Sequence, residues 1–172
     1  AEELYTKALG KTETEKSPDH PDTGMALNNL ALVYELEGNV EEAEASTRRA
    51  LEIWERSLGP DHPDTATALE NLSSLLYLAG KVIRDQPFLA AARPSSAAHH
   101  TSHAQYDDAE PLIRRSLAIR EEQLGKNNSM TAISVSKLGV VLRDMGRTSE
   151  AVPLLRRALT LGEASFGPDN EE

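Results

Sequence analysis

Apolar residues recur at helical spacing along most of the chain, and the stripes come in pairs. Leu27, Leu30, Ala31 and Tyr34 mark one face of a segment running from about Pro21 to Glu37. Ala43, Thr47, Ala50, Leu51, Trp54 and Leu58 mark a second stripe, from about Val40 to Leu58. Gly38 separates the two, and Gly80 and Gly146 hold the same place further along, where a glycine accepts the left-handed backbone that stops a helix. Asp19, with Pro21 and Asp22 close behind, reads as the N-terminal cap of the first segment, and Gly59-Pro60 closes the second. Carried along the chain, the pattern predicts seven helices near residues 1–16, 21–37, 40–58, 63–79, 106–124, 129–145 and 148–165. It places Leu30, Tyr34, Ala50, Leu51, Leu72, Leu117, Leu138 and Leu159 inside. Ala8, Ala50, Ser116 and Ala158 keep one position of the second helices small, which suits a close helix crossing.

The pairs repeat. Ala1–Leu9 (AEELYTKAL) returns at Ala43–Leu51, Ala109–Leu117 and Ala151–Leu159, at offsets of 42, 66 and 42 residues. Ser17–Thr23 (SPDHPDT) returns as Gly59–Thr65 and Gly125–Thr131 and opens again at Gly167, with the same three offsets. Since 66 is 42 plus 24, the unit is 42 residues long and the middle copy carries a 24-residue insertion, Val82–Gln105. The chain then divides into a second helix (1–17), a repeat (18–59), an interrupted repeat (60–125), a further repeat (126–167) and the start of another connector (168–172), as one array. Neither end carries a polar cap, so the sequence reads as an excerpt of a longer array.

The insertion shifts composition towards Ala, Ser, Pro and His, and removing it joins Lys81 to Tyr106 at the spacing seen after Gly38. It reads as an exposed, mobile loop with at most a short helix in Asp85–Arg93. A segment that begins with Val and ends with Gln also fits a translated 72-nucleotide intron.

Composition narrows the chemistry. With 28 acidic and 18 basic residues the formal charge is −10, which disfavours nucleic acid and anionic membranes. No cysteine is present, so there is no disulfide framework or thiolate metal site. No apolar run reaches the roughly 20 residues that span a bilayer, and AEELYTKALG lacks the form of a signal peptide, which points to a cytoplasmic chain. His20 and His62 occupy equivalent connector positions, while His99, His100 and His103 lie in the insertion without a nearby carboxylate, so no metal or other cofactor is expected. Glu41/Glu42 and Asp107/Asp108 read as first-turn residues favoured by the helix dipole. Asn71-Leu-Ser and Asn127-Asn-Ser match the glycosylation sequon by spelling only. No catalytic constellation emerges.

The order Leu30-Ala31-x-x-Tyr34, Gly38, Ala43, Ala50 resembles the tetratricopeptide repeat signature. The 42-residue period and the connector LGPDHPDT resemble the long variant of kinesin light chains and nephrocystin-3-like proteins, over everything except the insertion. The resemblance implies an all-α, right-handed α-solenoid of antiparallel helix pairs, a non-catalytic scaffold that binds a peptide or partner protein on its concave face. It also implies the contact positions: Asn28, Asn29, Leu32, Glu35 and Leu36 in one repeat, Glu70, Asn71, Ser74, Tyr77 and Leu78 in the next, and Ser136, Lys137, Val140, Arg143 and Asp144 in the last. Arrays of this kind also form the sensor region of large signalling NTPases, an alternative that an upstream nucleotide-binding domain distinguishes.

Overall fold

A computed structural model describes residues 2–85 and 102–166. Those residues form seven helices and no strand: α1 (Glu2–Glu15), α2 (Pro21–Glu37), α3 (Val40–Ser57), α4 (Pro63–Asp85), α5 (Ser102–Gln123), α6 (Ser129–Asp144) and α7 (Thr148–Phe166). The fold is the all-α helix-pair class expected of the repeat. The chain falls into two compact units, Ala1–Leu75 and Leu76–Glu172, with the boundary inside α4.

Two helix ends depart from the pattern, and both flank the insertion. Gly38 and Gly146 take left-handed backbone (φ 79° and 80°), and the residue after each donates its amide to a carbonyl one turn back, Asn39 to Tyr34 at 2.8 Å and Arg147 to Leu142 at 2.8 Å. Gly80 does not: α4 runs through it to Asp85, and α5 begins at Ser102 rather than Tyr106. At Gly38 and Gly146 the chain must fold straight back into the next helix. After Gly80 the added residues lift that demand, and Lys-Val-Ile-Arg continues the helix. The first and last residues of the insertion are therefore helical, and Gln105 is buried rather than exposed. The predicted short helix in Asp85–Arg93 lies, beyond Asp85, outside the described residues, as do His99 and His100.

The cap of α2 is His20, not Asp19. His20 has extended backbone (φ −73°, ψ 143°), and its ring Nδ1 accepts from the Asp22 amide at 3.2 Å. With Pro21 as the first helical residue, Asp19 stands one position too early, and its carboxylate pairs with Arg56 at 3.0 Å instead. His62 caps α4 in the same way (Asp64 amide, 3.2 Å), and Asn128 caps α6 (Met130 amide, 2.8 Å). Three residues after each cap a fully buried threonine hydroxyl donates to the carbonyl six residues back: Thr23 to Ser17, Thr65 to Gly59 and Thr131 to Gly125, at 2.8–2.9 Å.

In the first unit Leu27, Ala50, Ile53, Trp54 and Ala68 form the core, with Leu9, Leu51 and Leu58 against it. Trp54 Nε1 donates to the Pro21 carbonyl at 3.0 Å, and the indole lies so close to Gly24 that a Cβ there would stand 2.7 Å from Nε1. In the second unit Ile113, Leu117, Val135, Leu138, Leu142 and Ala151 pack together. Leu30, Ala50, Leu72, Leu117 and Leu138 are buried as expected, and Tyr34 and Leu51 are half-buried. Leu159 is 63% exposed, contrary to its assignment to the core. Its counterparts Leu51 and Leu117 precede a further first helix in sequence, whereas among the described residues none follows α7.

Candidate functional site

The first unit presents an apolar stripe on α2. Met25, Leu32 and Leu36 are spaced seven and four residues apart on one face and stand 54%, 42% and 88% exposed, with half-buried Asn29 between them. Asn28, one step round the helix, is buried. Its side-chain oxygen accepts from Asn71 Nδ2 at 2.9 Å, so this amide joins α2 to α4 rather than facing outward. Glu35 is half-buried on the flank of the stripe, Glu70 is buried, and the Ser74 hydroxyl donates back to the Glu70 carbonyl at 2.9 Å. Of the positions expected here, the structure brings Asn29, Leu32 and Leu36 to one surface and turns Asn28 and Glu70 inward.

In the second unit Tyr77, Arg143 and Asp144 come together. Tyr77 Oη donates to Asp144 Oδ2 at 2.8 Å, Arg143 Nε donates to Oδ1 at 2.8 Å, and Arg84 reaches Oδ2 at 3.4 Å. The Tyr77 and Tyr106 rings lie 5.6 Å apart, and the Arg84 guanidinium stands 5.8 Å from the centre of the Tyr106 ring. Burial, then the hydrogen bond to Asp144 and its charge, push the Tyr77 hydroxyl up to about 12. Burial would raise Asp144, but hydrogen bonds from Arg143 and Tyr77 and the charges of Arg143 and Arg84 outweigh it and hold the carboxyl below its usual range. Tyr106 is also raised, chiefly by burial, and its hydroxyl, like Gln105 Oε1, is buried without a hydrogen-bond partner. Lys137, Val140 and Ser136 are half-buried on α6, and Leu78 is exposed on α4. Arg84 falls beyond the helix that the sequence pattern ends at Gly80, and Tyr106 stands at the predicted start of the next one, so neither is among the predicted contact positions. The seven-residue step from Tyr77 to Arg84, two turns of one face, was the signal available.

An apolar concavity, about 460 Å³, lies between α6 and α7, lined by Ile133, Ala132, Leu155, Ala158 and Leu159 among others. Among the described residues no group of three His, Asp or Glu side chains is placed to hold a metal ion, and no helix is long and apolar enough to cross a membrane. Charge is divided unevenly. Residues 1–75 hold 16 acidic and 6 basic side chains, whereas residues 76–172 hold 12 of each.

The tetratricopeptide repeat profile matches residues 22–82 and 90–169. The chain belongs to the tetratricopeptide repeat family. Proteins of this family are in general non-catalytic scaffolds that bind proteins or peptides. Among curated proteins no sequence match is found. Among solved structures, BtubC (BKLC) from P. vanneervenii superposes with a TM-score of 0.73 at 24% identity, over 96% of this tetratricopeptide chain and 57% of BtubC. The chain thus spans little more than half the length of that protein, and the likeness is one of fold. Kinesin-light-chain TPR-like repeats from Podosopora anserina, nearly identical to one another, match at a TM-score of 0.46 and 19% identity, over 96% of this chain and 87% of theirs.

Proposed function

We propose that this tetratricopeptide chain is a cytoplasmic interaction scaffold with no catalysis of its own, and that each unit receives partner segments on the exposed face of its first helix. In the first unit the receiving positions are Asn29, Leu32, Leu36 and the flanking Glu35. In the second they are Tyr77, Lys137, Val140, Arg143 and Asp144, joined by Arg84. The observation that carries the reading is the α2 stripe: three large apolar side chains stand exposed on one helix face while the opposite face fills the core. Surface apolar residues scattered singly need no explanation, but three in register on a helix do.

The test is selection of binders from a displayed random-peptide library, followed by affinity measurement against Leu32→Ser, Leu36→Ser and the remote control Ala45→Ser. Peptides that lose tenfold or more on the α2 variants and nothing on the control support the assignment. Binders indifferent to both α2 variants would overturn it for the first unit, and the same comparison with Arg143→Ala checks the second.

A further inference from the structure

We infer that the α2 face docks a cationic amphipathic segment of a partner protein, whose apolar side chains cover Met25, Leu32 and Leu36 and whose Lys or Arg side chains meet Glu35, Glu37, Glu41 and Glu42. The inference rests on the reading above and names the partner's chemistry. Met25 to Leu36 spans three helical turns, roughly 16 Å, enough for about three turns of an opposing helix. Charge decides what surrounds those turns. The whole formal charge of −10 resides in the first unit. Five of its six cations already face a carboxylate of the same unit: Lys11 with Glu15, Lys16 with Asp22, Arg48 with Glu44, Arg49 with Glu13 and Arg56 with Asp19. Glu35, Glu37, Glu41 and Glu42 form no ion pair among the described residues, and all four lie within six positions of Leu36, the most exposed apolar side chain of the stripe.

The placement of Glu35 and Glu37 is unfavourable for the isolated helix, whereas Glu41 and Glu42 stand in the first turn of α3. Glu35 and Glu37 stand in the last turn of α2, at the negative end of its dipole, where no basic residue accompanies them. The equivalent end of α6 carries Arg143. A cation delivered from outside supplies what α2 lacks at the place where its apolar face is most open. An acidic partner would meet four carboxylates there that have no cationic side chain beside them.

The experiment uses three labelled synthetic peptides of equal length and the full chain. The first carries Leu at helical spacing on a Lys background, the second has Glu in place of each Lys, and the third is the first peptide scrambled to break the stripe. The first should bind at least tenfold tighter than either other. Its affinity should fall severalfold for Glu35→Gln/Glu37→Gln and tenfold for Leu36→Ser, but stay within twofold for Glu52→Gln, which removes a like charge from α3. Equal binding of the scrambled peptide reduces the effect to bulk charge and overturns the inference. Preference for the acidic peptide, or exclusion of all three by concentration-dependent self-association in sedimentation, overturns it in favour of an acidic partner or a second copy. The two readings fail separately. If library peptides bind in a Leu36-dependent way but the cationic probe does not, the docking face stands and its proposed partner falls. If nothing binds in a Leu36-dependent way, both fall.

Discussion

Replacing Tyr77 by Phe removes one hydroxyl and leaves the ring against Tyr106. The lost bond is a 2.8 Å donation to an ionised carboxylate, a class worth about 1.5–3 kcal/mol. Two effects reduce the loss. Asp144 keeps Arg143 at 2.8 Å and Arg84 at 3.4 Å, so it is not orphaned, and Phe has no hydroxyl to strip of water on folding. The expected net cost is about 1–2 kcal/mol near neutral pH, read by urea denaturation. The cost should depend on pH in a specific way. Asp144 is held below its usual range, so its share of the stability is complete above pH ~4 and fades as pH falls through the depressed value. Tyr77 is raised, so its share is complete below pH ~10 and fades as pH climbs towards about 12. The difference between wild type and Tyr77→Phe should therefore be flat from pH ~5 to ~9 and shrink on both sides. In the same variant, the tyrosinate absorbance lost relative to wild type should be the part that titrates near 12. A double-mutant cycle with Asp144→Asn should give a coupling of about 1 kcal/mol. A destabilisation below 0.3 kcal/mol (roughly the noise of such cycles), or one that does not shrink as Asp144 takes up its proton at low pH, refutes the reasoning.

Leu72→Ala should cost about 2–5 kcal/mol, because Leu72 is almost fully buried in α4; a change below about 1 kcal/mol in a denaturation curve means the cavity closes or the face is wrong. His62→Ala should cost about 1 kcal/mol by removing the α4 cap, whereas His62→Asn, copying the cap that Asn128 forms, should be nearly neutral in the same assay. Deleting residues 82–105 recovers about 1–2 kcal/mol of closure entropy. It also removes Arg84 from Asp144 and Tyr106, an ion pair and a cation–π contact of about 0.5–1 kcal/mol each, so the melting curve should stay close to wild type and a large loss contradicts the ledger.

The repeat was legible because two independent markers, the Ala-headed second helix and the Pro-Asp connector, shared their offsets. That spacing set helix ends within a residue or two wherever the chain folds back at once. It misjudged Gly80 because a glycine stops a helix only when the following residues turn, and there the next helix is far away in sequence. It misjudged the cap for a different reason: an imidazole nitrogen can accept an amide as a carboxylate does, and Pro21 decides which residue stands before the first turn. In the candidate site, spacing named the helix face but not the neighbours. Asn28 and Asn29 are adjacent and identical in type, yet a hydrogen bond from Asn71, 43 residues away, takes one inward. Arg84 was lost with the helix end that hid it.

The connectors carry a consequence for how such a chain can change length. From Ser17 to Thr23, Gly59 to Thr65 and Gly125 to Thr131, the cap and the threonine hydroxyl satisfy backbone groups within the same seven residues. Each is a joint that ties the first turn of the next helix back to the residues just before it. An added residue there separates the hydroxyl from its carbonyl and leaves a fully buried threonine without its acceptor. The turn after the first helix is closed by its glycine and the amide that follows it, with no buried threonine hydroxyl to satisfy, and the 24 extra residues of the middle repeat stand at that turn and not in a joint. Whole repeats can therefore be gained or lost by recombination at matching joints, while lengthening within a repeat is confined to the opposite end of the helix pair.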